Sequence, residues 1–269
     1  MNHSACNPSI TADPRQNHLL SALPDLAWIR WQPYLEPLNV SVGKVLCHSG
    51  SPADYVYFPT TAIISLTNTT QDGDSSEIAV VGNDGVVGIC LIMGGNSMPS
   101  QAVVQSAGTV YRLRSQVVKN EVDRAGPVLS LLLRYTQSVI AQLTLSAACN
   151  RHHSIDQQLS RRLLVAMDRS ASGELAMTQE LAASLIGVRR EGITNAALKL
   201  QQAGVIRYGR GQISVLNRAG LEKRTCECYA ATRRENERLL PRMSAFRSCP
   251  PPSLAMQALT EPFTLQVAA

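Results

Sequence analysis

Apolar positions change their spacing several times along the chain, and each change marks a different kind of element. From His18 to Leu35 the residues Leu19, Leu20, Leu23, Leu26 and Ile29 recur at helical spacing, interrupted by Pro24 and Pro33. That pattern predicts short helices, with Trp28 and Trp31 packing them onto a core. From Leu38 to Leu113 short apolar runs alternate with Gly, Asp and Asn turns. The runs Val40–Val42, Val45–His48, Tyr55–Phe58, Ala62–Thr67, Ser76–Val81, Gln101–Ser106 and Thr109–Leu113 predict a β-sandwich or small barrel. Val80, Val81, Val86, Val87 and Ile89 to Met93 are too apolar for a surface loop and are placed inside it.

Helical spacing then returns. Ser115 to Asp123 reads as a short helix and Pro127 to about Ala148 as a long one, with proline at the favoured first position. Leu129, Leu133, Thr136, Ile140, Leu143 and Ala147 repeat at alternating spacings of four and three, a coiled-coil seam. Leu131, Tyr135, Val139 and Leu145 form a second stripe. One stripe would cover the β-domain and the other an identical helix; the alternative is one core helix buried on two sides. About 22 residues give roughly 33 Å of helix, long enough for a dimer seam. Cys149 to Arg151 is the expected hinge. Beyond it, Ile155 to Met167 is amphipathic, with Leu159, Leu163 and Leu164 inward and Arg161, Arg162 and Arg169 outward. Ser172 and Gly173 close that unit.

The stretch MTQELAASLIGVRREGITNAALKLQQAGVIRYGR, Met177 to Arg210, reads as two short helices around Gly187. Thr178 is a good N-cap with Glu180 in the turn behind it. The second helix opens with Arg189, Arg190 and Glu191, sends Ile193, Ala197, Leu198 and Leu200 to a core, and ends near Gly204. This is a helix-turn-helix pattern. Guanidinium forks match phosphate or guanine, and the Asn195 amide matches adenine. Val205, Ile206 and Tyr208, then Gly209, Arg210 and Gly211, then Ile213, Val215 and Leu216 predict a wing with a basic tip. A helical hairpin that only packs two domains together is the bland alternative. Arg218 to Glu237 reads as a last, charged helix, and the Pro- and Ser-rich chain beyond Pro241 as disordered.

Composition agrees with two modest domains in 269 residues, 45% of them apolar and 17% charged. The net charge of +5 permits DNA binding without requiring it, and arginines crowd the region from Arg151 to Arg238. Seven scattered cysteines do not form a disulfide framework and point to a reducing compartment. The polar N-terminus lacks a signal core, and Arg134 and Gln142 interrupt the longest candidate for a membrane span. The expectation is a cytoplasmic protein with no membrane contact.

The order of β-roll, long seam helix and winged helix-turn-helix resembles the Crp/Fnr family of bacterial transcription regulators over roughly residues 18 to 225. TQELAASLIGVRREGITNAALKLQQAGVIRYGRGQISV and VGNDGVVGICLIMGG carry the resemblance. It implies an α+β fold, divided as a tail over 1–16, a cyclic-nucleotide-binding-like β-roll over 17–125 and a dimerisation helix over 126–150. A winged helix-turn-helix over 151–225 and a charged helix with a disordered tail over 226–269 complete it. It implies base contacts by Arg190, Glu191 and Asn195, and phosphate contacts by Thr178, Gln179, Arg189 and Arg210. Asn195 stands where well-known members have Arg, and Gly192 where they have Thr, so the operator should differ. The implied partners are a palindromic DNA duplex, a second copy of the chain, RNA polymerase and an unidentified small-molecule effector.

The resemblance places an effector pocket around Gly85, Gly88, Ile89 and Ser100. Nucleotide-binding members follow the equivalent of Gly88 with Glu and later offer an Arg–Ser pair. Here Ile89 and Pro99–Ser100 stand in those places. A buried cyclic phosphate needs a cation, so cyclic AMP is not expected as ligand.

No cofactor and no metal are expected. Only Cys6 lies near the N-terminus, where iron–sulfur members cluster their cysteines, and such a cluster takes about four thiolates. Cys47 or His48 could serve haem, although a lone strand histidine is usually structural. Cys226 and Cys228 are expected as solvent-facing thiols pointing apart on a helix. His152 and His153 are expected to cap the long helix, and Asp72, Asp74 and Glu77 to lie in a solvated loop. Competing readings are a cupin-like β-barrel enzyme, which needs a histidine pair that the strands lack, and a scaffold whose helix-turn-helix no longer meets DNA. The protein is expected not to be an enzyme.

Overall fold

The computed structural model describes residues 12–72, 75–169, 177–209 and 212–240. A 3₁₀ turn and two short helices, α1 (His18–Ser21) and α2 (Asp25–Trp31), precede seven strands. The strands are β1 (Glu36–Val40), β2 (Val45–Cys47), β3 (Tyr55–Pro59), β4 (Ile63–Thr69), β5 (Ser75–Val81), β6 (Gln101–Ser106) and β7 (Gly108–Arg114). They form two antiparallel sheets, ordered β1-β7-β3 and β2-β6-β4-β5. Val40, Tyr57, Ile64, Leu66, Val81 and Val104 meet between the sheets, so the roll is filled by apolar side chains.

The N-terminal helices are fastened by Asn17, which is fully buried. Its amide donates to the carbonyls of Pro59 and Gly85 at 2.9 and 2.8 Å, and its oxygen accepts from the backbone N–H groups of Leu19 and Leu20. Residues 12–16, expected in a tail, are ordered here. Tyr111 donates to the Ala12 carbonyl, and Arg15 stacks on Trp28 at 4.4 Å. Trp31 is buried against Phe58, but Leu26 and Ile29 are exposed; α2 buries only one narrow side. Met93 is also exposed, at the end of the otherwise buried run from Ile89.

Helix α3 (Ser115–Val122) leads into α4 (Pro127–His152), a helix of 26 residues. Cys149 to Arg151, expected as a hinge, continue the helix, and the break falls at His153, whose backbone is extended. Leu131, Leu132, Tyr135 and Val139 bury themselves on the roll with Phe58 and Leu113. Thr136, placed on the seam by its spacing, is buried and donates to the Leu132 carbonyl, and Leu129 packs against the same core. Leu133, Ile140 and Leu143 are 50%, 52% and 36% exposed, on the face away from the roll. By length and apolar content alone α4 could cross a membrane, contrary to expectation. The packing accounts for that composition: it is a core helix with an apolar outer stripe.

Helix α5 (Ile155–Arg169) starts the second domain. Strand β8 (Met177–Thr178), helices α6 (Gln179–Ile186) and α7 (Arg190–Gln202), and strands β9 (Ile206–Gly209) and β10 (Gln212–Val215) follow. Helix α8 (Arg218–Glu222) and helix α9 (Glu227–Leu239) replace the single last helix expected, because the chain breaks before Cys226. Leu159, Leu163, Ile193, Leu200 and Ile213 centre this domain's core. Leu198, expected there, is exposed.

The two domains meet across buried charge. Arg162 and Arg169, expected outward, point into the roll. Arg162 pairs with both carboxylate oxygens of Glu77, which also accepts from the Ser65 hydroxyl, and it donates to Gln105 at 3.0 Å. Arg169 donates to Asp84 at 3.0 Å and to Gln142 of α4 at 3.1 Å. Glu77 therefore lies in an interface, not in the solvated loop expected of it. Burial pushes the Glu77 carboxyl upward against the opposing pull of Arg162 and Ser65. Burial would raise Asp84 too, but the Arg169 guanidinium and the Gly82 N–H hold it below the ordinary aspartate value.

Removing one partner of a buried pair strands the other charge. Arg162→Ala is therefore expected to cost about 3–5 kcal/mol, read as a lowered denaturant midpoint. The double change Arg162→Met with Glu77→Leu should cost much less. Equal losses in the two variants would show that the charge pair is not the source.

Candidate nucleic-acid interface

The helix-turn-helix is assembled from local signals. Thr178 caps α6, its hydroxyl accepting from the Leu181 N–H at 3.0 Å. Gly187 ends the helix in the left-handed region at φ 76°, which favours glycine, and its N–H returns to the Ala183 carbonyl. Arg189 is extended and forms the N-cap of α7. Ile193, Ala196, Ala197 and Leu200 then bury one face of α7 against α5 and α6. A Cβ on Gly192 would lie 2.9 Å from the Ile155 Cδ1, so glycine lets α7 approach α5 closely. That contact gives a packing reason for the residue that the sequence reading had tied to the operator.

The opposite face is open. Arg189, Arg190, Glu191 and Asn195 are all exposed and lie within the first turns of α7. Arg190 is 63% exposed and sits 3.5 Å from Glu180, a surface pair worth little and easily exchanged for another partner. Arg189 makes no ion pair among the described residues. Thr178 stands exposed beside this face, at the N-terminus of α6. Gln179 does not: it is buried and accepts from the Thr194 hydroxyl at 3.0 Å, so its side chain ties α6 to α7. Arg210, expected to hold a phosphate from the wing tip, lies outside the described residues.

The wing is a three-stranded sheet ordered β8-β10-β9. The strand before α6 pairs Met177 with Ile213, which the sequence reading did not foresee. Arg207 is exposed on β9, next to buried Ile206, and alternation along the strand would have singled it out. Several arginines in the basic C-terminal half hold structure instead. Arg218 binds Asp168 at 2.6 Å and the Tyr229 hydroxyl at 2.7 Å, linking α8 to α5 and α9.

The expected effector residues all lie in the connection between β5 and β6. Gly85 lies against Tyr135, whose hydroxyl donates to the Val86 carbonyl at 3.0 Å; a Cβ there would come within 2.4 Å of that hydroxyl. Gly88 adopts φ 105° and starts a 3₁₀ turn over Ile89–Leu91. Ile89 is buried in the apolar core. Ser100 is buried, its hydroxyl without a partner among the described residues. Cys47 is half-buried, its thiol pushed up by burial, and His48 is exposed.

A roll, a long helix and a winged helix-turn-helix with an open basic face define a two-domain transcription regulator. Residues 37–125 match the cyclic nucleotide-binding domain family, and residues 157–224 match the Crp-like helix-turn-helix domain family. The chain belongs to the Crp/Fnr family of transcription regulators. No curated protein sequence matches significantly. Among solved structures it is similar to FixK2 from Bradyrhizobium japonicum, at 18% identity and TM-score 0.61, covering 71% of this chain and 98% of that one. It is also similar to a putative crp/fnr-family regulator from Eubacterium rectale, at 16% identity and TM-score 0.62, covering 76% and 96%. A third is the c-di-GMP responsive regulator CLP of Xanthomonas campestris, at 13% identity and TM-score 0.56, covering 71% and 99%. At these identities the likeness establishes the fold.

Proposed function

We propose that the protein acts as a homodimer on a palindromic DNA duplex in the cytoplasm, and regulates RNA polymerase in answer to a signal other than cyclic AMP. The observation that carries this reading is the two-sidedness of α7. One face is sealed into the core, while Arg190, Glu191 and Asn195 are exposed at its N-terminal end. That end of a recognition helix is the part that meets base edges. Arg189, Thr178, Arg207 and Arg210 would hold phosphates, with the N-terminus of α6 adding its dipole.

Two further observations support the reading. Leu133, Ile140, Leu143 and Ala147 form an exposed stripe along α4, suited to the same stripe of a second copy. A helix of 26 residues, about 39 Å, gives that seam ample length. In the roll, Ile89 stands in the place that the family resemblance gives to the ribose-binding Glu and is itself buried, and the cluster that meets between the sheets is apolar among the described residues. Signals differ among proteins of this fold, as the c-di-GMP responsive Xanthomonas regulator illustrates.

Four outcomes are expected. Genome-wide mapping of bound sites should yield a palindrome, on which Arg190→Ala costs about 1–3 kcal/mol and relaxes preference at one base position. Arg189→Ala should instead weaken all sequences alike and lower the salt slope by about 1. Identical behaviour of the two variants would sink the assignment of roles. Replacing both Ile140 and Leu143 by Asp should give folded monomers in sedimentation, with loss of palindrome binding; persistent dimers would rule out the α4 seam. Calorimetry with cyclic AMP or cyclic GMP should show no binding in the micromolar range, and a measurable micromolar affinity would overturn that part of the reading.

A further inference from the structure

Four side chains converge at the joint between α4 and α5, away from both the roll interior and the DNA-reading face. Cys149 lies in the last turns of α4, His153 caps it, Cys226 is the N-cap of α9, and Cys228 lies in the first turn of α9. The expectation of solvent-facing thiols fails here. Cys226 sits before the helix with an extended backbone, so it and Cys228 turn to the same side, and both are buried. The four ligand atoms all lie within 4.8 Å of one another.

Two of the six separations match those of ligands around one ion, and the rest stay within 4.8 Å. Cys149 Sγ is 3.5 Å from Cys226 Sγ, and Cys228 Sγ is 3.7 Å from His153 Nδ1. A tetrahedral zinc with Zn–S of about 2.3 Å and Zn–N of about 2.0 Å spaces its ligand atoms about 3.5–3.8 Å apart. A disulfide would need sulfurs about 2.05 Å apart, and these cysteines are free. An iron–sulfur cluster distributes its thiolates over two or more irons, which spreads the sulfurs around a cluster instead of gathering them on a point.

The surroundings fit a metal better than a chance packing of thiols. His153 turns Nδ1 toward the sulfurs while Nε2 contacts Glu227 at 3.2 Å. A carboxylate behind the histidine is the arrangement that orients a metal-ligating imidazole. Three thiolates and a neutral imidazole on a divalent cation leave one net negative charge. The Arg161 guanidinium acts on Cys149 and carries a buried Nε without a partner, so it offsets that charge. We propose that Cys149, His153, Cys226 and Cys228 bind one zinc ion in a closed tetrahedral site. Binding replaces the thiol protons of the three cysteines, releasing up to three protons to solvent, with no change of oxidation state. Four protein ligands leave no open position, so the site is structural. It pins α9 to the end of α4 at the joint that sets the direction of the DNA-binding domain.

The inference goes beyond the regulator reading, and its test needs no DNA. Full-length protein stripped of metal is titrated with Co²⁺ and then with Zn²⁺. One Co²⁺ per chain is expected, with thiolate charge-transfer absorption and tetrahedral visible bands that Zn²⁺ abolishes. Zn²⁺ should also shield three of the seven cysteines from a thiol reagent. Cys226→Ser and Cys228→Ser should lose the stoichiometric site. Glu227→Gln changes an exposed side chain and leaves the fold in place, so it separates ligation from folding. It should weaken Zn²⁺ binding about 10–100-fold. Absence of thiolate-to-cobalt bands in the wild-type protein, unchanged affinity in Glu227→Gln, or iron–sulfur absorption in anaerobically prepared protein would each overturn the proposal.

Discussion

Two guanidinium groups, those of Arg162 and Arg169, leave water where the DNA-binding domain meets the roll, and the placement of everything beyond α4 depends on what receives them. Glu77 and Gln105 receive one, Asp84 and Gln142 the other. Such pairs return little net stability, because desolvation offsets most of the attraction. What they supply is direction: a planar fork accepts a carboxylate in few orientations. With both arginines seated, α5 is fixed in position and rotation. The turn after α6 then falls beside β5, where a Cβ on Gly187 would lie 3.5 Å from Ser76. The open face of α7 is aimed by this chain of contacts.

Helix α4 presents three different faces, two of them covered, which explains its composition. One stripe completes the apolar core of the roll, and Tyr135 secures the Gly85–Val86 loop. A second stripe stays exposed. Along its C-terminal half lies α9, whose Tyr229 belongs to the DNA-binding core while Leu240, just past its end, packs on the core of the roll. A helix covered on so many sides is apolar nearly all round, and composition alone then mimics a membrane span.

The strands were legible because glycine and aspartate turns punctuate them, and the observed boundaries differ from the expected ones by only a few residues. The helix-turn-helix was legible because Thr178 and Gly187 each do a local job that only a few residue types can do. The buried charges were not. Hydrophobic periodicity assigns every arginine to the surface, and it has no means of seeing that Glu77, far away in sequence, waits inside. Gln179 was misread for a related reason: a polar side chain at a helix start looks available until its partner, Thr194, is in view. The cysteine site is hidden by spacing: a helix drawn through Cys226 sends the pair apart, and one residue's difference in helix start reverses whether the pair diverges or converges.

The filled roll constrains how any signal can work. Val40, Tyr57, Ile64 and Val104 occupy the interior, and Ile89 is buried in the apolar core that α4 completes. A signal delivered there would first have to displace well-packed apolar side chains. The joint at His153 and Ser154 is a different matter. It is clamped on one side by the Arg162 and Arg169 pairs and on the other by the thiols and imidazole that hold α9 to α4. Both clamps are polar, and each would respond to a change of charge or ligation without any repacking of the core. Because α5 carries α6 and α7 with it, loosening either clamp would change the direction in which the open face of α7 is aimed. In the proposed dimer the spacing of the two readers, which sets the operator half-site separation, would follow from this joint.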